Sequence, residues 1–281
     1  MEVQAGGYMA EIRMESPDAS LCPFIKMYFW GYDTNVPRVQ RIVPNGEMGL
    51  CFYRRGDVSY VAADWVAASQ KSCIMGQGMH YNDIIAEGEV EIVGTHFTAL
   101  GASVLIGGSM HDYYGRVVSV ADMGDTGLMT LEERIGEAET PEECFELMDR
   151  FFLERLASID ADNLNLRRLK RAIAYGQRLR RDVRIEDMAM EACLSKRQFG
   201  RIFADTVGMP PKDYLRIMRY RRTLAELKAA KGREPVSRIA WRNGYYDFSH
   251  LTSDFIKISG YTPSVLLDLS ANDNDDAGWR I

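Results

Sequence analysis

Long apolar runs are missing from this 281-residue chain: nowhere do its hydrophobic residues approach the ~18 in succession that a membrane-crossing helix needs. A basic start followed by an apolar stretch is missing too. The first residues are Met1-Glu2-Val3-Gln4-Ala5, so no secretory signal is expected. Cysteine is sparse and unpatterned. Cys22, Cys51, Cys73, Cys144 and Cys193 are odd in number, scattered and never spaced C-x-x-C, which argues against a disulfide framework and a zinc site. These absences predict a protein of a reducing cytoplasm with no membrane partner. An overall excess of basic residues is lacking as well: the net charge is −6, the wrong sign for a nucleic-acid binder if charge were spread evenly.

It is not spread evenly. Between Asp160 and Ser270 there are 22 Lys+Arg against 13 Asp+Glu, a balance of +9, which leaves −15 on the rest. Such asymmetry between halves is a nucleic-acid signature, with the basic half as the binder. The length suits two domains. Residues 20 to about 125 read as short strands. Pro23–Trp30, Gly49–Tyr53, Ser59–Val61, Val90–Val93 and Arg116–Val120 are aromatic and β-branched runs, punctuated by turn signals at Pro44-Asn45-Gly46, Arg55-Gly56-Asp57 and Gly107-Gly108. That spacing predicts a β-barrel or sandwich. Thr140-Pro141-Glu142-Glu143 then has the form of a capping box, opening an amphipathic helix through Phe145, Met148, Phe152 and Leu156 that ends near Ser158. From Leu166 to Leu267 the pattern is helical. The expected division is a β-rich domain at 1–137, a linker helix at 138–160, an all-α domain at 161–270 and a disordered polar tail at 271–281.

One arrangement occurs twice in the helical part. The first copy runs Ala189, Cys193-Leu194-Ser195, Phe203, Gly208 and Pro211; the second runs Ala240, Gly244-Tyr245, Asp247, Phe255, Gly260 and Pro263. A small residue lets two helices cross closely, and the turn residue permits a tight reversal. The aromatic locks the second helix while leaving its outer face free for a major groove. Gly stops that helix and Pro starts the next. Ser195 and Asp247 are expected as N-caps of two recognition helices, with Asp213–Leu227 as one long helix between the copies.

Over Leu166 to Leu267 these residues resemble the AraC/XylS family of bacterial regulators. The likeness is carried by Ser195, Arg201-Ile202-Phe203, Gly208-x-x-Pro211-x-x-Tyr214-Leu215 and Arg219, then by Ile239-Ala240, Gly244-Tyr245, Ser249-His250 and Gly260-x-x-Pro263. It implies an all-α double helix-turn-helix domain that binds double-stranded DNA and regulates transcription. By that resemblance the groove-facing residues are Lys196, Arg197, Gln198 and Arg201 in the first unit and Tyr246, Ser249, His250 and Ser253 in the second, with Ser195 and Arg219 also assigned to DNA binding. Phe248 shares that outward face. Arg219, Arg221, Arg222 and Arg242 are candidate phosphate clamps or helix-capping pairs. Ser253 departs from the family, which usually carries Arg or Lys there, and Asp254 adds a nearby negative charge. The first helix is therefore expected to carry most base readout. The segments Phe24–Trp30, Ile42–Gly46, Leu50–Phe52 and Gly94–Phe97 resemble a β-rich N-terminal domain attached to some AraC-type regulators. Such domains imply a small-molecule effector, a homodimer, or both, and RNA polymerase is a further implied partner; no cofactor and no catalysis are expected.

Simpler readings compete at several positions. Cys193 is expected to fill its turn as a small buried residue rather than as a reactive thiol. His80, His96 and His111 lack the His-x-His of a cupin metal site. Asp83, Glu87, Glu89 and Glu91 read as a solvated acidic face. Trp30, Tyr32 and Tyr53 suit core packing better than a ligand pocket. Arg178, Arg180, Arg181 and Arg184 are a solvated face or a phosphate contact. An enzyme tethered to DNA is a different class of reading, but metal-assisted methyl transfer needs a cysteine cluster, and Cys22, Cys51 and Cys73 are far apart in sequence. A β half serving only for dimerisation is the third.

Overall fold

The computed structural model describes residues 11–34, 38–61, 66–67, 72–159, 163–179 and 183–271. The expected tail beyond Ala271, Arg180 and Arg181 lie outside them. Strands β1 (Glu11–Glu15), β2 (Ile25–Asp33), β3 (Arg38–Ile42), β4 (Gly49–Val61), β5 (Val66–Ala67), β6 (Ser72–Met75), β7 (Asn82–Phe97) and β8 (Val117–Ser119) form one antiparallel sheet. Its spine is β7, whose sixteen residues pair with β4 on one side and with β3 and then β2 on the other. Gly49–Tyr53 and Ser59–Val61 are thus one strand. The supposed turn at Arg55-Gly56-Asp57 is a register shift within it, where Gly56 takes a φ of 89°. There one residue of β4 stands opposite three of β7, an irregularity that bends a strand without ending it.

The sheet is open. Its order is β1-β2-β7-β4-β6-β8, and the two end strands do not pair with each other among the described residues. This corrects the barrel or sandwich expectation: the layer against the sheet is helical. Side chains alternate across the strands. Tyr28, Trp30, Leu50, Phe52, Ile74 and Val93 point to a core shared with α1 (Gly101–Leu105), α2 (Thr126–Glu137) and α3 (Pro141–Ala157). Phe29, Cys51, Tyr60, Cys73 and Ile92 build a second core on the opposite face. Strands buried on both faces lose the polar-apolar alternation that marks a one-sided sheet, which is why the helical layer was not legible.

Helix α3 is the expected linker helix, and it belongs to this core. Cys144, Phe145, Leu147, Met148 and Phe152 are buried against the sheet. Tyr28 Oη donates to Asp149 at 2.9 Å, and Arg155 binds Asp125 at 2.5 Å and the Leu105 carbonyl at 3.0 Å. Thr140 caps the helix by accepting from Glu143 N, but the Glu143 carboxylate reaches back to Glu139 N instead of closing a capping box.

The C-terminal half is helical: α4 (Leu164–Arg178), α5 (Ile185–Glu191), α6 (Lys196–Val207), α7 (Pro211–Ala230), α8 (Val236–Arg242), α9 (Phe248–Ser259) and α10 (Pro263–Ala271). Phe199, Phe203, Tyr214, Tyr220 and Phe255 fill its core. Phe203 lies edge-on to Tyr214 at 5.4 Å, and Tyr220 to Phe255 at 4.6 Å. The twenty-residue α7 runs between the two helix pairs, so this core is continuous across both.

Two turn residues show what the repeat demands. Gly244, between α8 and α9, has a φ of 84°, and Cys193, between α5 and α6, has a φ of 52°. The fold needs a left-handed residue at both turns, and only the second copy supplies glycine. Cys193 is exposed, contrary to the buried filler expected. A side chain in that conformation costs on the order of 1–2 kcal/mol. Cys193→Gly should therefore raise stability by about 1 kcal/mol in urea melts; an unchanged or lower midpoint would show that the turn carries no such strain.

Candidate nucleic-acid interface

The first helix-turn-helix pairs α5 with α6. Ser195 caps α6 by accepting from Gln198 N, and Gln198 Oε1 accepts in return from Ser195 N at 3.2 Å, a complete capping box. Gln198 is thus engaged in holding the helix start as well as lying on its outer face. Lys196, Arg197, Gln198 and Arg201 are all exposed. Lys196 pairs with Glu186 at 2.6 Å, a solvent-screened contact that a phosphate can displace. Arg197 and Arg201 make no ion pair among the described residues. A spacing of four puts them on one face of α6, where each guanidinium is free to take a base edge.

The second unit pairs α8 with α9. Asp247 caps α9 by accepting from His250 N at 2.7 Å. Tyr246 N donates to His250 Nδ1 at 3.4 Å. Tyr246 is 90% exposed and Phe248 48%. Ser249, His250 and Ser253 share that open surface. This helix thus offers aromatic and hydroxyl groups where the first offers guanidinium.

Arg219 stands elsewhere. Its guanidinium binds Asp254 at 2.5 Å and lies over the Tyr245 ring at 4.4 Å, while Arg216 Nε binds the other oxygen of Asp254 at 2.7 Å. Asp254 is 2% exposed. Burial opposes its ionisation, but hydrogen bonds from Arg216 and Arg219 outweigh this and hold its carboxyl below the usual range. Asp254 is therefore no repulsive charge on the outer face; it ties α9 to α7. Arg222 binds Asn243 and the Leu179 carbonyl, and Arg242 binds Glu226 and Glu234. Of the clamps and capping pairs offered for these arginines, the structure shows internal pairs. Sequence separation hid them, since the partners of Arg219, Arg222 and Arg242 lie eight to forty-three residues away.

The two recognition helices present their N-terminal turns to solvent and seat their C-terminal turns on the sheet half. At the end of α6, Gln77 Nε2 donates to the Val207 carbonyl at 2.6 Å. Gly208 sits against Met110 and Met48, and Ser109 donates to Asp205 at 3.3 Å. At the end of α9, Arg41 reaches toward the Ser259 carbonyl and lies between the Tyr81 and Tyr261 rings, against Gly260. Gly208 and Gly260 are left-handed caps at φ of 90° and 78°, so both helices stop where the sheet half begins. Between them α7 is held by Arg221, which donates to the Asn45 carbonyl at 2.7 Å, and by Met218 and Tyr214 against Gly46. Tyr114 Oη adds a bond to Asp213 at 2.8 Å.

Behind those loops lies a cavity with an empty volume of about 870 Å³, open solvent at its mouth included. It occupies the sheet face away from α1–α3 and is walled by Phe29, Cys51, Tyr53, Met75, Ile84 and Ile92, with Gln77, His80 and His96 among its polar groups. Tyr53 therefore lines a pocket, while Trp30 packs in the opposite core. His111 stacks on Tyr114, away from the other two histidines. Among the described residues no group of three His, Cys, Asp or Glu could hold a metal. Glu91 is not on a solvated acidic face either: it is 7% exposed and accepts from Trp30 Nε1 at 2.9 Å. Asp83 pairs with Arg41, and Glu89 with Tyr32 and Arg55. Cys51 and Cys73 face each other across β4 and β6, and burial pushes the Cys73 thiol up to about 12, so both stay protonated thiols.

Burial, with Lys26 adding to it, pushes the His96 imidazole down to about 4. The unfolded chain takes up this proton near the ordinary 6.5 while the folded chain resists it. Stability should fall as pH drops from 6.5 to about 4, by at most ~1.4 kcal/mol per pH unit. Urea melts across that window should show a shallower slope in His96→Gln; an equal slope would place the proton uptake elsewhere. The arginines separate by the same logic. Arg219→Ala should cost about 1–3 kcal/mol of stability by stripping a partner from buried Asp254, whereas Arg201→Ala should leave the melt unchanged. Equal melts for the two variants would contradict this division.

Residues 188–268, from α5 to α10, match the family profile described as a helix-turn-helix domain, and residues 13–119 match one described as a domain of unknown function, DUF6597. No curated protein matches the chain. Similar solved structures include ToxT from Vibrio cholerae, at 13% identity and a TM-score of 0.45 over 85% of this chain and 98% of that one. ToxT of strain SCE256 bound to an unsaturated fatty acid is similar at 9% and 0.48, over 89% and 98%. A transcriptional regulator from Chromobacterium violaceum, with an AraC-type DNA-binding domain, is similar at 20% and 0.36 over 38% and 96%. The helical half, with its two helix-turn-helix units on one linking helix, is an AraC-type helix-turn-helix domain.

Proposed function

We propose that the chain is a sequence-specific, DNA-binding transcription regulator of AraC type, modulated through its sheet half. One observation carries this reading: two capped recognition helices, joined by one long helix, expose their N-terminal turns while their other ends are seated. Lys196, Arg197, Gln198 and Arg201 would enter one major-groove segment, and Tyr246, Ser249, His250 and Ser253 the next, about one helical turn (~34 Å) along. Ser195 supplies the helix start at which a phosphate can sit. Arg219 positions α9 through Asp254 and makes no base contact in this reading.

The exposed cations in the first half of α6, against exposed Tyr246, Phe248, Ser249 and Ser253 at the start of the second unit's helix, support unequal roles. The first helix reads bases, and the second contributes shape and apolar contact with Tyr246 and Phe248. A small molecule in the cavity would act on both, because the loops that wall it are the loops that seat the helices. The reading places the protein in the cytoplasm, with self-association of the sheet half and contact with RNA polymerase as further partners. No catalytic step forms part of it.

Selection of random duplexes by the full chain tests the proposal. The expected result is a two-part site whose halves lie about one turn apart, with affinity that falls steeply as salt rises. Arg201→Ala should weaken binding to that site by about 1–3 kcal/mol and relax the preference in one half only. Failure to enrich any sequence, or binding indifferent to salt, would overturn the reading.

A further inference from the structure

The cavity's wall carries more information than its position. Its apolar groups, Phe29, Cys51, Met75, Ile84 and Ile92, come from the sheet. Among the described residues no lysine or arginine lines it. The lining carboxylate, Glu47, is already held by Lys26 at 3.1 Å and faces Arg221 at 3.6 Å. The His96 imidazole is buried and neutral. An ionised ligand would find no free counter-charge among the described buried groups of the lining, and burying an unpaired charge is strongly unfavourable.

Gln77 supplies the specific polar feature. It is 4% exposed, and its Nε2 donates to the Val207 carbonyl at 2.6 Å. Because that partner is a carbonyl, the orientation of the amide is fixed. Its Oε1 is then a buried acceptor with no partner among the described residues. Buried amide oxygens are rarely left so. A group that donates to Oε1 polarises the amide and strengthens the N–H bond on its other side, here the bond to the last turn of α6.

Resting on the regulator reading above, we propose that the cavity takes an uncharged, largely apolar small molecule bearing a hydrogen-bond donor, of the phenol or alcohol class, and that Gln77 relays its presence to the first recognition helix. The donor binds Gln77 Oε1, the hydrocarbon covers the sheet residues, and the seated form of α6 is stabilised. The ligand shifts the population toward that form because it binds it better.

A matched series tests the class on the full chain: 4-propylphenol, propylbenzene, 4-propylbenzoate and 4-propylbenzylammonium, each followed by thermal shift and titration. The phenol should raise the melting temperature and bind about tenfold more tightly than propylbenzene, and the two ions should give no shift. In Gln77→Met, of similar shape, phenol and propylbenzene should bind alike. In Ile42→Trp, which fills the cavity from its wall, neither should bind. Hydrogen exchange of residues 203–208 should slow with the phenol in the wild type. Binding by an ion as tight as by the phenol, no binding by any member, a phenol preference kept in Gln77→Met, or unchanged exchange at 203–208 would each overturn the proposal. DNA binding by the same protein is scored separately. A chain that selects a duplex but shows no phenol preference sinks the ligand class alone, and one that binds the phenol but no duplex sinks the regulator reading.

Discussion

The seating of two helix ends on one sheet half is the constraint on which the rest depends. Gln77 holds the last turn of α6, Arg41 the last turn of α9, and the Asn45–Glu47 loop the middle of α7. These contacts come from segments adjacent in the sheet half, so the two helix-turn-helix units cannot reorient independently while all three persist. Left-handed glycines at 208 and 260 make the close approach possible, since a side chain at Gly260 would run into Arg41 and Tyr81. The ends that would face a duplex are left open by the same geometry.

Charge is arranged around this frame in two tiers. Arg216, Arg219 and Arg222 of α7 and Arg242 of α8 are spent internally on Asp254, Asn243, Glu226 and Glu234. Of these carboxylate partners Asp254 is buried, and removing its arginines would leave an uncompensated buried charge. Those at the start of α6 are left without internal partners, available to a polyanion. A high count of basic residues in the helical half is therefore a poor measure of its DNA surface.

The frame of the double repeat was legible in the sequence, because its residues answer local demands: Ser195 and Asp247 cap, Gly208 and Gly260 stop, Phe203 and Phe255 pack, whereas the exposure of Cys193 was not. Local chemistry of this kind survives without knowledge of the tertiary fold. Arg219 and Asp254 were not legible, since their roles depend on a pairing thirty-five residues apart. The sheet was legible strand by strand but not as an architecture. The bulge at Gly56 resembled a turn, and strands buried on both faces concealed the helical layer. Gln77 carried no sequence signal at all; an isolated glutamine after Gly76 acquires its meaning only from Val207 across the fold.

Amide hydrogen exchange on the full chain, with and without a selected duplex, tests the central claim most directly. Without DNA, residues 204–208 and 256–261 should already be protected as seated helix ends, while 195–201 and 246–253 exchange faster. Adding the duplex should protect 195–201 and 246–253 and leave the seated ends little changed. Free exchange at both C-terminal turns, or protection by DNA on another surface, would contradict the account.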